Sequence, residues 1–354
     1  MHLLLDLTLP ELESRLSEWR QPAYRARQIW EWVYARGAID FGQMTNLPAS
    51  LRDLLQATFV IDPLTPVAES LSSDGQTSKL ALRLPDAEVI ETVWMRYETR
   101  ESVCVSTQAG CAMGCVFCAT GQGGPRRNLT AGEIVAQVMA FSRILGAASG
   151  RVSNVVFMGM GEPFANYDAV WKAVRILIDP AGLGIGARHL VISTVGLIPG
   201  IQRFADEKSQ VRLAVSLHAA DDALRDRLVP INRTYPIGPL MESLQYYVNL
   251  TGRRVTFEYA LIAGVNDSPE QARALAALLK RLPAHVNLIP LNPTPDSPLQ
   301  PSPGGRVRQF QSILQENTIP CTVRLGRGAD IQAACGQLRA QTLSQNLYRT
   351  QSAD

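Results

Sequence analysis

From residue 102 onward the chain repeats one rhythm, a short β-branched run followed by a longer helical pattern. The runs are "SVCVST", "NVVFMG", "HLVIST", "RLAVSLH", "VTFEYALI" and "HVNLIPL", with "CTVRL" near the end. Strands separated by helices need crossover connections, so they pair in parallel. Six such strand–helix units favour a barrel or partial barrel over a short open sheet, and the expected fold class is α/β. The helices carry their own start signals. In "LTAGEIVAQVMAFSRIL", Thr130 and Glu133 form a capping box, and apolar residues from Ile134 to Leu145 recur on one face.

The part before this rhythm differs. To about residue 60 it reads as short helices: "PAYRARQIWEWVYARG" sets Ile29, Trp30, Trp32 and Val33 on one stripe with Arg25, Arg27 and Arg36 nearby, and "PASLRDLLQATF" makes another helix. This segment serves either as a packing unit or as a basic arm for RNA. Residues 78 to 95 then alternate as strands. The expected divisions are a helical accessory unit over 1–62, a β connection over 63–98, the barrel over 99–340 and a tail over 341–354. At roughly 150 residues per domain, 354 residues fit such an arrangement. The 34 Lys and Arg against 32 Asp and Glu give a net charge of +2, so any nucleic-acid site must be a local basic face. "MHLLLDLTLP" breaks its apolar run at Asp6 and has no basic start, so it does not read as a signal peptide, and no apolar run is long enough to cross a bilayer. A cytoplasmic monomer without membrane attachment is expected. In that compartment six cysteines point to metal or catalysis rather than disulfides.

Barrel enzymes place their chemistry at the carboxyl ends of the strands. There this chain carries Cys111, Cys115 and Cys118 after the first strand, "GMGEP" (159–163) after the second, Ser193 and Thr194 at the third, Ser216, Leu217 and His218 at the fourth, Asn292 at the sixth and Cys335 after the last. The Cys-x3-Cys-x2-Cys spacing brings three thiolates together, whereas a structural zinc site wants four ligands, usually drawn as two pairs. The economical reading is an iron–sulfur cluster with one iron left open. Glu162, beside a glycine turn, can accept from an ammonium group or cap the helix that follows. "GLGIGA" (182–187) precedes a strand rather than following one and does not read as a phosphate loop. His2, His189 and His285 belong to no ligand-spaced pair and read as structural.

The cysteine loop resembles the signature of radical S-adenosylmethionine (SAM) enzymes. With "CVSTQAGC", "CATG", "RNLT", "GMGEP", "ISTVGLIP", "SLHA", "PIN", "EYALIAGVND", "HVNLIPLNPTP" and "DIQAACGQL" in that order, the chain resembles the RlmN/Cfr family of RNA adenine methyltransferases over about residues 20 to 340. The resemblance implies a partial (β/α)6 TIM-like barrel, with one 4Fe-4S cluster on Cys111, Cys115 and Cys118. SAM would lie against Gly161, Glu162, Ser193, Ser216, Leu217, His218 and Asn292, although a structural role for His218 is equally open.

It further implies methylation of carbon 2 of adenine in 23S rRNA near the peptidyl-transferase region and in tRNA beside the anticodon, with two SAM molecules used per turnover. One SAM methylates Cys335. The second is cleaved to a 5′-deoxyadenosyl radical, which activates that methyl group for addition to the base. Glu91 takes the ring proton, and Cys104 attacks the sulfur of Cys335, freeing the RNA and leaving a disulfide. A flavodoxin-type electron donor is implied by family. Without the resemblance Cys104 could be core and Glu91 a solvated strand carboxylate, while Cys321 reads as core. The rival functions are carbon 8 methylation, an iron–sulfur electron carrier or redox sensor using Cys104 and Cys335, and a radical SAM enzyme acting on a small molecule. Arg126, Arg127, Arg253, Arg254, Arg324 and Arg327 read either as phosphate grips around the barrel mouth, with the Arg126–Arg127 pair foremost, or as solvated surface.

Overall fold

The computed structural model describes residues 2–147, 150–294, 297–324 and 326–339; the expected tail over 341–354 lies outside them. Among the described residues one sheet of ten strands organises the molecule. In chain order these are β1 (Thr65–Leu71), β2 (Thr77–Arg83), β3 (Val89–Tyr97), β4 (Arg100–Cys104), β5 (Asn154–Phe157), β6 (Leu190–Thr194), β7 (Arg212–Ser216), β8 (Val255–Leu261), β9 (Ala284–Pro290) and β10 (Cys321–Val323). Each strand pairs with its neighbours in sequence.

From β4 to β10 every pairing is parallel. Helices Ala131–Ala147, Tyr167–Ile178, Ile198–Asp206, Ile237–Thr251, Pro269–Leu279 and Gly304–Glu316 fill the connections. The two ends of this parallel run do not pair with each other, as expected of a partial barrel. Each sequence run quoted above becomes a strand to within a few residues, because strands covered on both faces stay apolar throughout. Val103, Val155, Ile192, Leu213, Phe257 and Val286 are all buried in one continuous core.

β1 to β4 pair in antiparallel fashion, so the connecting segment extends the barrel sheet. β1 was not visible in the sequence because, as an edge strand, it is exposed along most of its length.

The N-terminal helices are Leu9–Glu18, Tyr24–Trp30 and Ala49–Thr58, and strand Phe59–Val60 pairs with His2–Leu3 to close the unit. The middle helix runs into a π-turn over Glu31–Ala35, whose wider winding shifts the buried stripe. Tyr34 joins Ile29, Trp30 and Val33 inside. Trp32 lies only partly buried, donating to Asn46 Oδ1 at 2.6 Å with the Arg36 guanidinium 4.3 Å over its ring. The unit docks on the barrel through Gly132, whose backbone N donates to Asp6 Oδ1 at 2.7 Å. A Cβ at Gly132 would lie 2.5 Å from Leu3 Cδ2 and 2.7 Å from the Asp6 backbone nitrogen, so only glycine allows this approach. Lys172 with Glu11, and Arg143 with Asp62, add ion pairs across the same seam.

Gly132→Ala is therefore expected to loosen the docked unit at a cost of about 1–3 kcal/mol. Limited proteolysis would read this as faster cleavage within the first 62 residues; cleavage at the wild-type rate would show that the seam does not need the glycine.

Candidate active site

At the carboxyl ends of the parallel strands lies a cavity of about 160 Å³. Of the residues singled out in the sequence, Cys115, Cys118, Gly161, Glu162, Ser193, Ser216, His218, Asn292 and Cys335 line it. Cys111, Cys104, Glu91 and Leu217 are not in its wall. The Leu217 side chain is fully buried in the core, and its carbonyl instead accepts from Arg225 Nε at 3.1 Å.

The cysteine loop leaves β4 through a small ribbon, Gln108–Gly110 against Pro125–Asn128. Gly110 (φ +79°) permits close approach here, since a Cβ would meet the Gly124 carbonyl at 2.1 Å. The loop is pinned by Cys111 N to Gly124 O at 3.0 Å, Val116 N to Leu228 O at 3.1 Å and Cys118 N to Cys115 O at 3.1 Å. Burial raises the Cys111 thiol to about 11 and the Cys115 thiol further, and the three sulfurs lie close enough to add mutual repulsion. Among the described residues no three acidic, histidine or cysteine side chains converge on a point for a single metal ion. Three thiols on one loop are the donor set that a cluster, presenting a separate iron to each thiolate, would take.

Glu162 opens the short 3-10 turn Pro163–Asn166. Its Oε1 accepts from Phe164 N at 3.0 Å and its Oε2 from Val195 N at 2.8 Å. The capping role read from the sequence is present, and the same carboxyl lines the cavity. Burial pushes it up to about 7, against hydrogen bonds from Val195, Thr194 and Phe164 that favour the anion. Ser193 Oγ and Ser216 Oγ stand 3.5 Å apart across two strand ends. His218 takes a left-handed backbone (φ +62°), uncommon for a residue with a side chain. Its Nδ1 accepts from Ala260 N at 2.9 Å, which leaves the proton on Nε2. Burial, with Arg225 adding repulsion, lowers it to about 3, so the imidazole stays neutral.

Cys335 reaches the cavity on a loop stapled down from every side. Asn292 Nδ2 donates to Cys335 O at 3.1 Å, Ala119 N to Gly336 O at 2.8 Å and Thr120 Oγ1 to Leu338 O at 2.5 Å. Gln337 Nε2 donates to Pro293 O at 2.8 Å. Arg339 N donates to Glu91 Oε2 at 2.9 Å, and Lys79 Nζ lies 3.0 Å from Glu91 Oε1. Glu91 is thus no solvated strand carboxylate: it is buried, and that burial raises its pKa while Lys79 works against the rise. Cys104, at the end of β4, is buried and raised to about 12, by desolvation first and by Cys335 second. The two sulfurs, 231 positions apart, are therefore electrostatic neighbours.

Comparison with known proteins agrees with this geometry. Residues 105–276 match the radical SAM superfamily, and residues 3–61 match the ribosomal RNA large subunit methyltransferase N-terminal domain. The chain is 53% identical over 346 residues to a probable dual-specificity RNA methyltransferase RlmN of Chloroflexus aurantiacus, covering 95% of this chain and 92% of that one. It is 49% identical over 338 residues to a protein of the same name from Geobacillus kaustophilus, covering 96% and 92%. The crystal structure of a radical SAM methyltransferase from Sphaerobacter thermophilus superposes with a TM-score of 0.94 at 54% identity, covering 96% of this chain and all of that one. The chain belongs to the RlmN family.

Some residues of this RlmN-family site were not anticipated. Glu258 sits mid-strand in β8 and lines the cavity, although a lone acid in the apolar run "VTFEYALI" was a usable signal. Arg225 is fully buried and ties together the carbonyls of Val195, Ser216 and Leu217 and the side chain of Asn232. One expected phosphate grip is corrected: Arg127 makes a two-pronged contact with Glu133 at 2.8 Å for each oxygen and a further pair with Asp86. Its charge is committed to those two carboxylates, while Arg126 remains exposed.

In the unfolded chain Glu162 titrates near 4.5, and in the folded protein near 7. Between those values the folded state holds the extra proton, so this group's contribution to stability falls as pH rises through that range. In cofactor-free protein, Glu162→Gln is expected to remove that part of the pH slope, read as the difference in denaturation midpoint between about pH 5 and about pH 8. An unchanged slope would contradict the assignment.

Proposed function

We propose that the chain methylates carbon 2 of adenine in RNA, in 23S rRNA near the peptidyl-transferase region and in tRNA beside the anticodon. The observation that carries this reading is the placement of Cys335 in one cavity with Cys118 and Glu162, with Cys104 as its electrostatic neighbour. An electron carrier has no use for such a pocket or for two further cysteines beside it.

Cys111, Cys115 and Cys118 would hold a 4Fe-4S cluster, and Glu162, Ser193, Ser216, His218 and Asn292 would line the SAM site, with Gly161 (φ +100°) allowing the backbone to close on Gln108. When bound, cluster and SAM together supply one-electron cleavage of the sulfonium. Cys335 accepts a methyl group, carries it to the base and is joined to the RNA for part of each turnover. Glu91, whose pKa burial raises while the ion pair with Lys79 works against the rise, takes the ring proton. Cys104 then attacks the sulfur of Cys335, releasing methylated RNA and leaving a disulfide for an external reductant such as flavodoxin. Two SAM molecules are consumed per turnover. The 1–62 unit, with Arg27 exposed, and Arg126 on the ribbon would contact RNA phosphates, and the enzyme would act as a monomer in the cytoplasm.

Anaerobic reconstitution with iron, sulfide, SAM and reductant on unmodified ribosomal RNA is expected to yield 2-methyladenosine from wild type and none from Cys335→Ala. 8-Methyladenosine would overturn the choice of carbon, and SAM cleavage without methylated adenine would overturn the RNA substrate. Cys115→Ala is expected to lose the brown cluster absorbance; retention of a full cluster would remove Cys115 from the ligand set.

A further inference from the structure

Glu258 is a buried acid that the proposed reaction leaves without a task. It is 4% exposed, on β8, and lines the same cavity as Cys335. One of its oxygens is fixed: Oε1 accepts from Asn287 Nδ2 at 2.8 Å, and Asn287 Oδ1 in turn accepts from Thr322 Oγ1 at 2.8 Å. The other, Oε2, is buried without any hydrogen-bond partner. A bare carboxylate oxygen in a desolvated wall is expensive to keep unless it has something to receive.

Resting on the reading of Cys335 as methyl carrier, we propose that Glu258 is the base that takes the proton from the Cys335 thiol when that sulfur is methylated. The proton passes from Cys335 Sγ to Glu258 Oε2. The sulfur's electron pair forms a bond to the donor's methyl carbon, the bond from that carbon to the sulfonium breaks, and its electrons stay on the departing thioether. Charge explains why the acid belongs here. A thiolate formed beside an ionised, buried Glu258 would put two anions together, whereas moving the proton between them keeps a single negative charge. Cys335 is an exposed residue on the cavity wall; desolvation nonetheless raises its thiol, Glu258 raises it further and Arg324 partly offsets both, with Cys118 and Cys104 the other titratable groups that act on this sulfur.

The test follows methylation of Cys335 by SAM in reconstituted enzyme, read by peptide mass spectrometry across roughly two pH units around neutrality, where an internal base gives a flat profile. Wild type is expected to be flat. Glu258→Gln, left to lose its proton to solvent, is expected to speed up about tenfold per pH unit, and Glu258→Asp to stay nearly flat. A wild-type rate that itself rises tenfold per unit, or a flat profile in Glu258→Gln, would overturn the assignment. In SAM-free protein, iodoacetamide alkylation of Cys335 is expected to turn on at lower pH in Glu258→Gln than in wild type, because a like charge has gone. An unshifted midpoint would show that Glu258 does not face the thiol. Wild-type protein that never methylates Cys335 would instead sink the carrier reading on which this rests.

Discussion

The site depends on a set of hydrogen bonds that hold one short loop, residues 333–339, over the mouth of the barrel. The bonds from Asn292, Ala119, Thr120 and Gln337, and that from Arg339 to Glu91, tie this loop to the segment just after β9, to the end of the cysteine loop and to β3 at once. Four of these five partners are themselves parts of the proposed machinery or next to it. The loop that carries Cys335 is therefore also the clamp that fixes the cysteine loop and Glu91. Preorganisation of this kind replaces ordering that would otherwise have to occur during each turnover. A change at any one anchor moves Cys335 relative to everything it must meet.

Desolvation sets the chemistry of the cavity. Cys104, Cys111, Cys115, Glu91, Glu162 and Glu258 are all buried, and burial is the first cause of the raised pKa of each. Thiols whose pKa is raised in this way are weak nucleophiles. They become reactive when a metal, a base or a neighbouring sulfur draws off the proton, which makes the order of events a property of the site. Arg225 is the main buried positive charge under this acidic wall. It makes hydrogen bonds to three carbonyls and one amide, so its desolvation is compensated by fixed partners.

Much of the fold was legible because parallel strands buried on both faces remain apolar throughout, and the Thr130–Glu133 box forms as read, with Thr130 N to Glu133 Oε2 at 2.9 Å. The exposed edge strand β1 and the π-turn at Glu31–Ala35 were not, since neither leaves a clear period in the sequence. In the site, spacing alone identified the cysteine triad. The electrostatic proximity of Cys104 and Cys335 joins residues more than two hundred positions apart, which no local pattern encodes, and it entered through family resemblance. Arg127 misled because a basic pair beside a loop reads as a phosphate grip, and the two carboxylates that claim it come from Asp86 and Glu133, on different elements.

In the proposed reaction Cys104 releases the RNA from Cys335. The most direct measurement is denaturing electrophoresis and mass spectrometry of Cys104→Ala after reaction with RNA, SAM and reductant. The account predicts a covalent protein–RNA species joined through Cys335, with little free methylated RNA. Normal yields of free 2-methyladenosine from that variant, with no covalent species, would contradict it.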